Sequence, residues 1–483
     1  MDLLLIDPPY MSLKSVSTDC GYNVGLTSLA AYVRKQGIDT AVLTGDLLMD
    51  VPSNKLWTHL SYKDYALAQQ NYAMIVDDKD HFIWERIADI VKQTSPMAVG
   101  IPYMTPLKHV VERVARLVKE INGDIKVIAG HAHPTFNPEE VLQNPDIDFV
   151  IRGEGEITLL HLMNELKNDN PKLETVPGIY YRDRDDQVRS NAGVDLIRNL
   201  DELPFLARDL VLNCDYNSYR EHELITTRGC PYTCSFCADR QLWGGVVRRR
   251  SVDNVIEEMK LLEDTYKVNL VAIVDGTFTF DRNYLQTFCN TLINLQLNIK
   301  WGCTARYDNL DEDLLRLMKR ANCSGMYFGL ESGSDRVLNA MDKKITVEKI
   351  IEVSNMVHDS GIPSFSSVLL GLPYETKEDA EATLKLMRTI KTDFYDVNSF
   401  IPLPGTPLYD SMSEEVKGNI DWRKVAMKSF DNYFLTSMSH EEFNEYVSEA
   451  YKIADSTRRK SLIRLGAKML PRFVASTFKR LWQ

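Results

Sequence analysis

Short apolar, β-rich runs alternate with segments of helical period along most of this 483-residue chain. Such alternation restricts it to parallel sheets covered by helices. Leu3 to Ile6, Thr40 to Leu43, Met97 to Ile101, Lys126 to Ala129 and Phe149 to Ile151 read as strands, with helices at Gly25 to Gln36, Phe82 to Gln93, Pro106 to Ile121 and Glu156 to Leu166. This pattern predicts a five-stranded doubly wound, Rossmann-like domain of flavodoxin type over residues 1–166, with its ligand at the carboxyl ends of the strands. Residues 167–215 read as a linker, in which Gly178 to Tyr181 and Val188 flank an acidic turn as a hairpin. The alternation restarts near Glu223, with strands at Leu224 to Thr227, Leu270 to Val274, Ile299 to Ala305, Met326 to Leu330, Phe365 to Leu370 and Val397 to Ile401. Six such units over residues 216–410 predict a partial (β/α)6 barrel with its chemistry on the loops after the strands. Residues 411–483 read as helical.

Three of the eight cysteines, Cys230, Cys234 and Cys237, fall in one short loop after the first barrel strand. Random scatter would give that spacing in roughly 0.001 of such chains. Three thiolates spaced C-x3-C-x2-C can bind three irons of a four-iron cluster and leave the fourth open. A zinc site would want a fourth Cys or His close by, and none follows. Cys20, Cys214, Cys289, Cys303 and Cys323 are widely spaced and read as small buried residues in a reducing compartment.

The formal net charge of −12 argues against nucleic-acid binding by the body of the protein. The start lacks the basic segment of a signal peptide and no apolar run is long enough to cross a membrane, so a cytoplasmic protein is expected. Arg458 to Gln483 carries eight Lys or Arg and no Asp or Glu, with apolar residues near helical spacing. That composition suits either peripheral contact with the inner face of a membrane or a helix docked on the acidic body.

The C-x3-C-x2-C run with Phe236 before its last cysteine resembles the signature of the radical S-adenosylmethionine superfamily. The resemblance implies a [4Fe-4S] cluster on Cys230, Cys234 and Cys237, whose open iron chelates the amino and carboxylate groups of S-adenosylmethionine. An electron from the reduced cluster then cleaves the cofactor to a 5′-deoxyadenosyl radical that abstracts hydrogen from substrate. Phe236, Asp275, Arg306, Glu331, Ser332 and Gly371, in the loop or at strand ends, are the implied S-adenosylmethionine contacts. Asp275 stands where the family carries G-G-E, which is absent here. Arg306 reads either as a clamp for a carboxylate or as a rim salt bridge.

The run Gly21-Tyr22-Asn23-Val24-Gly25-Leu26 and the later Gly153-Glu154-Gly155-Glu156 are similar to the cobalamin-binding domain that precedes many of these enzymes. Pro9, Tyr10, Tyr103, Met104, Thr105, Gly130, His131, Gly153, Glu154, Gly155 and Glu156 are the implied cobalamin contacts. Two departures stand out. Asp7 is followed by Pro8, Pro9 and Tyr10 rather than a D-x-H-x-x-G loop, so no imidazole from that loop would reach cobalt. The usual glycine pair after the fourth strand is Gly130-His131.

The resemblance implies cobalamin-dependent C-methylation of an unactivated carbon. Its alternatives are a radical dehydratase, deoxygenase, epimerase or cyclase with a vestigial or non-methylating cobalamin domain, and a non-catalytic corrinoid or cluster sensor. The partners it implies are a small-molecule, sugar or lipid-linked substrate and a low-potential electron donor such as flavodoxin or ferredoxin.

Overall fold

The computed structural model describes residues 1–10, 23–48, 71–193, 196–214, 221–426, 428, 432–434 and 437–465. Cys20, Gly21, Tyr22 and residues 466–483 of the basic tail lie outside them.

The first sheet is built from β1 (Leu3–Asp7), β2 (Thr40–Thr44), β3 (Ala98–Pro102), β4 (Lys126–Gly130) and β5 (Phe149–Ile151), followed by β6 (Ile179–Arg182) and β7 (Val188–Ser190). Its order is β2-β1-β3-β4-β5-β6-β7. The first five strands are parallel, in the order of flavodoxin-like folds. Five strands were expected and seven are present, because the hairpin read as part of the linker pairs its β6 antiparallel with β5. Leu3 and Leu5 face α1 (Val24–Lys35), while Leu4 and Ile6 face the opposite layer, formed by α2 (Phe82–Thr94) and α3 (Lys108–Ile121). Burial on both faces is why β1 reads as a continuous apolar run. Asn23 caps α1 by accepting from Leu26 N at 3.2 Å, and its Nδ2 donates to Asp7 Oδ1 at 3.0 Å. One residue thus starts the helix and fixes the end of β1.

The rest of the connector is tied at both ends. Leu212 N donates to Val42 O at 2.9 Å along the edge of β2. Buried Arg208 reaches the second unit, bonding Glu258 at 2.9 Å and Glu223 O at 2.9 Å.

That second unit is a six-stranded, all-parallel sheet of β8 (Glu221–Leu224), β11 (Leu270–Ile273), β12 (Lys300–Ala305), β13 (Cys323–Glu331), β14 (Ser364–Leu370) and β15 (Phe394–Ser399), in sequential order. Between β8 and β11 lies a two-residue ladder of β9 (Thr227–Arg228) with β10 (Arg248–Arg249). The first barrel strand was expected at Leu224 to Thr227. It ends at Leu224, and Thr227 belongs to this ladder at the foot of the cysteine loop. After α4 (Gly155–Leu166), which packs on the first sheet, come the barrel helices α5 (Val252–Tyr266), α6 (Arg282–Asn294), α7 (Glu312–Arg320), α8 (Val347–Ser360) and α9 (Lys377–Thr389). Ser251, Asp281, Asp311, Thr346 and Thr376 cap them in turn. The final helix, α10 (His440–Leu465), packs along β15 and α9.

The two units meet at the carboxyl ends of their strands. Phe136, beyond β4, lies against Gly405 in the loop after β15. Arg228, in β9 beyond β8, pairs with Glu154 and Glu156, which follow β5. Because β8 and β15 are the two edges of the second sheet, the first unit spans its open mouth. Gly405 has φ +81°, and a side chain there would overlap the Phe136 ring. Gly405→Leu is therefore expected to destabilise the chain by about 2–4 kcal/mol. Urea unfolding would measure this, with part of the loss recovered when Gly405→Leu is combined with Phe136→Ala.

Candidate functional site

The cysteine loop is held by the loops after four other strands. Tyr232 Oη donates to Asn309 Oδ1 at 2.9 Å, beyond β12. Ser235 N donates to Met341 O at 2.9 Å, beyond β13, and Leu408 N to Ser235 O at 2.9 Å, beyond β15. Cys230 Sγ lies 3.8 Å from Thr277 Oγ1, beyond β11. Phe236 is buried in the barrel core, and Cys234 and Cys237 pack against that core. Burial raises the thiols of Cys230 and Cys237 above their ordinary range, and the charge of Asp239 adds to the rise. Metal binding reverses that preference, since a ligating thiol is deprotonated outright. Among the described residues, no three His, Cys, Asp or Glu side chains converge on a single metal ion. Three thiolates that each take a different iron have no need to converge. The donor set therefore suits a cluster with one open iron.

At the other strand ends the side chains are already engaged. Asp275 is buried and accepts from Thr226 N at 2.7 Å, Thr227 N at 3.0 Å and the Thr226 hydroxyl, so its oxygens brace the foot of the cysteine loop. Arg306 forks onto Asp308 at 2.9 and 3.0 Å and stacks 3.7 Å over the Tyr232 ring, which is the rim salt bridge of its two readings. Glu331 bonds Lys343 at 2.7 Å with both side chains buried. Ser332 is fully buried, and its hydroxyl lies 3.2 Å from Thr383 Oγ1 of α9. Gly371, at φ +89°, donates to Glu375 Oε2 at 2.6 Å.

Across the mouth, β3 and β4 end in a stitched pair of loops. Tyr103 stacks on His133 at 4.7 Å and donates its N–H to Gly130 O at 2.7 Å, while Thr105 Oγ1 lies 3.0 Å from His133 Nδ1. Pro9 is buried, Met104 is half-buried, and Tyr10 packs against the cores of both units. A Cβ built on Gly130 or on Gly153 would meet nothing within 4 Å, so backbone there is open to a ligand lying against the strand ends. That suits a corrinoid. Glu154 and Glu156, assigned to the same edge, turn toward the cysteine loop instead. Glu154 bonds Arg228 at 2.5 Å and Arg248 at 2.7 Å, and Glu156 bonds Arg228. Gly155, between them, opens α4.

His131 keeps the backbone that a second glycine would adopt, φ +86° and ψ −161°. Non-glycine residues in that region carry strain of about 1–3 kcal/mol. Its Nδ1 accepts from Ala132 N at 2.7 Å. His131 is exposed, and with Nδ1 accepting a hydrogen bond its ring carries no proton at that nitrogen. A neutral imidazole accepting at Nδ1 has its proton at Nε2, so His131 offers a donor and no free lone pair for cobalt. His131→Gly is expected to raise the thermal unfolding midpoint and leave any bound corrinoid base-off, which calorimetry and absorption spectra would check.

Several residues at this site escaped the sequence reading. Glu375 is buried, with Oε1 unpartnered and its carboxyl raised to about 8 by desolvation. Tyr327, Ser367, Asp396, Asn398 and Lys428 form a buried polar network on the sheet face turned away from the barrel helices. Lys428 comes from beyond the barrel, and no motif announces it.

With this geometry described, likeness to known proteins decides the family. Residues 13–163 match the B12 binding domain model and residues 224–387 the radical SAM superfamily model. An uncharacterized methyltransferase of Pyrococcus horikoshii is 30% identical over 470 residues, 96% of this chain and 94% of that protein. The chain belongs to the cobalamin-dependent radical S-adenosylmethionine enzymes. This family works with a [4Fe-4S] cluster, S-adenosylmethionine and cobalamin. The anaerobic magnesium-protoporphyrin IX monomethyl ester cyclase of Rubrivivax gelatinosus is 28% identical over 69% of this chain, which spans 61% of that protein. The methyltransferase TsrM of Kitasatospora setae, solved with cobalamin and a [4Fe-4S] cluster bound, shares the fold at a TM-score of 0.64 and 16% identity, over 87% of this chain and 76% of that one. No described helix is long and apolar enough to cross a membrane.

Proposed function

We propose that this enzyme methylates an unactivated carbon of a small-molecule substrate held between the two units. The observation that carries this reading is the clasp of Arg228 by Glu154 and Glu156, which sets the cysteine loop against the corrinoid edge. When bound, the cluster would supply the electron that cleaves S-adenosylmethionine, and cobalamin the methyl group. Cys230, Cys234 and Cys237 hold the cluster. Tyr10, Tyr103, Met104 and the open backbone at Gly130 and Gly153 form the corrinoid face. Two named relatives favour methylation: the one from Pyrococcus horikoshii, and the cytidylyl-2-hydroxyethylphosphonate methyltransferase of Streptomyces wedmorensis, 27% identical over 77% of this chain and 73% of that protein. The cyclase relatives supply the second reading.

The test is anaerobic turnover of the reconstituted, corrinoid-loaded protein with a low-potential reductant and candidate substrates. A methyltransferase of this kind consumes two cofactor molecules and releases both 5′-deoxyadenosine and S-adenosylhomocysteine. Deoxyadenosine alone would favour the cyclase or dehydratase reading. Neither product, from protein with a full cluster, would favour a sensor.

A further inference from the structure

Beside the cysteine loop, one carboxylate oxygen has no partner. Asp239, two residues past Cys237, opens the short helix Asp239–Leu242, and its Oδ1 accepts from Trp243 Nε1 at 2.8 Å. Its Oδ2 is shut off from solvent and accepts no hydrogen bond among the described residues. That oxygen stands over Gly276, just beyond β11. A Cβ built on residue 276 would lie 2.6 Å from Oδ2 and 3.4 Å from Cys230 Cβ. Only glycine there admits the carboxylate to its place beside the cysteine.

Leaving a carboxylate oxygen buried and unpaired is costly unless something supplies a donor. Among the described residues Asp239 forms no ion pair, and its Oδ2 is left unpartnered. The remaining acids of the neighbouring strand ends already have their partners, Asp275 on Thr226 and Thr227 and Glu331 on Lys343. A ligand that brings a donor into this loop would satisfy Oδ2. As an acceptor, Oδ2 needs an N–H or O–H donor. Of the groups at the methionine end of S-adenosylmethionine, the amino group alone carries N–H; the sulfonium has none and the carboxylate would be repelled.

We propose that Asp239 Oδ2 accepts a hydrogen bond from the amino group of S-adenosylmethionine and so positions the cofactor beside Cys230. Asp239 then occupies the space that a side chain at 276 would have filled, and Trp243 keeps its carboxylate turned toward the loop. This assignment rests on the reading of the cysteine loop as the cluster and S-adenosylmethionine site.

The test uses the full chain with its cluster reconstituted without oxygen. Wild type, Asp239→Asn and Asp239→Ala are compared for iron content, for the EPR spectrum of the reduced cluster alone, and for the S-adenosylmethionine concentration that half-converts this spectrum. The titration is repeated with an analogue whose α-amino group is replaced by hydrogen. Iron content and the cofactor-free spectrum should match wild type in both variants. Binding of S-adenosylmethionine should weaken about 10- to 100-fold, and binding of the analogue by less than about twofold. Asp239→Asn keeps the shape and the Trp243 bond while turning an N–H toward the amino group, so it carries the comparison if Asp239→Ala fails to hold a full cluster. Equal losses for both ligands, or no loss for either, would overturn the assignment. A wild-type cluster whose spectrum ignores S-adenosylmethionine would instead overturn the reading of the loop itself.

Discussion

Cys234→Ala protein is expected to lose the cluster and, with it, deoxyadenosine release by more than about a hundredfold, while keeping its corrinoid. The magnitude follows from what the loop lacks. With three thiolates for three irons, the loop holds no spare cysteine to take the place of a lost one. Even changes to the groups that hydrogen-bond a metal's ligands cost about 10- to 100-fold, and removing a direct ligand from an already open set costs more. The fold should survive, because Cys234 is only half-buried and the loop keeps its bonds through Tyr232 and Ser235. Corrinoid retention provides the control, since its edge is built from β1, β3, β4 and β5. Iron analysis, the EPR signal of the reduced protein and product chromatography check the three parts separately. Retained iron with normal deoxyadenosine release would remove Cys234 from the ligand set.

The sequence showed most plainly what depends on local spacing. Phe82 to Gln93 was expected as a helix and forms as Phe82–Thr94, because His81 caps it and its apolar residues recur on one face. The cysteine loop was legible for the same reason, with its three cysteines lying within eight residues. Cys289, Cys303 and Cys323 are buried as expected, and Cys214 is half-buried.

What spacing cannot show is which distant group a side chain will meet. Asp275 read as a cofactor contact because it follows a strand, yet Thr226 and Thr227, nearly fifty residues earlier, take its oxygens. Glu154 and Glu156 read as part of the corrinoid edge, and their partners lie in another unit. Asp239 drew no attention because a lone acid after a cysteine motif carries no pattern. Its position became informative only once Gly276 was seen beneath it. The hairpin is the reverse case: its turn was legible, but pairing with β5 depends on an edge that only the folded sheet presents.

Glu154→Gln is expected to cost about 3–5 kcal/mol, the largest effect on stability among these substitutions. Glu154 is buried between two guanidinium groups, accepting from Arg228 at one oxygen and from Arg248 and Ile197 N at the other. Glutamine preserves the volume but removes the charge. Arg228 would still have Glu156, whereas buried Arg248 would keep a neutral bond to Ile197 O and lose its counter-charge. Arg248 also has Nε and Nη2 buried without partners, so it has little in reserve. A second substitution separates the ion pair from general damage: Arg248→Met beside Glu154→Gln should recover much of the loss, because removing both charges removes the burial penalty. The same clasp sets an acid limit. Burial alone would raise the Glu154 carboxyl, but the Arg228 charge and the bonds from Arg228, Arg248 and Ile197 outweigh it and hold the group below its ordinary 4.5. A depressed carboxyl contributes stability that is present above the unfolded value and is lost as pH falls through the folded one. Wild type should therefore lose this contribution as pH falls below about 4.5, while Glu154→Gln, lacking it throughout, should show a shallower acid slope. Urea midpoints measured from pH 7 down to pH 4 and below would display the two curves converging. Curves that coincide at every pH would show that the Glu154 charge contributes nothing to stability.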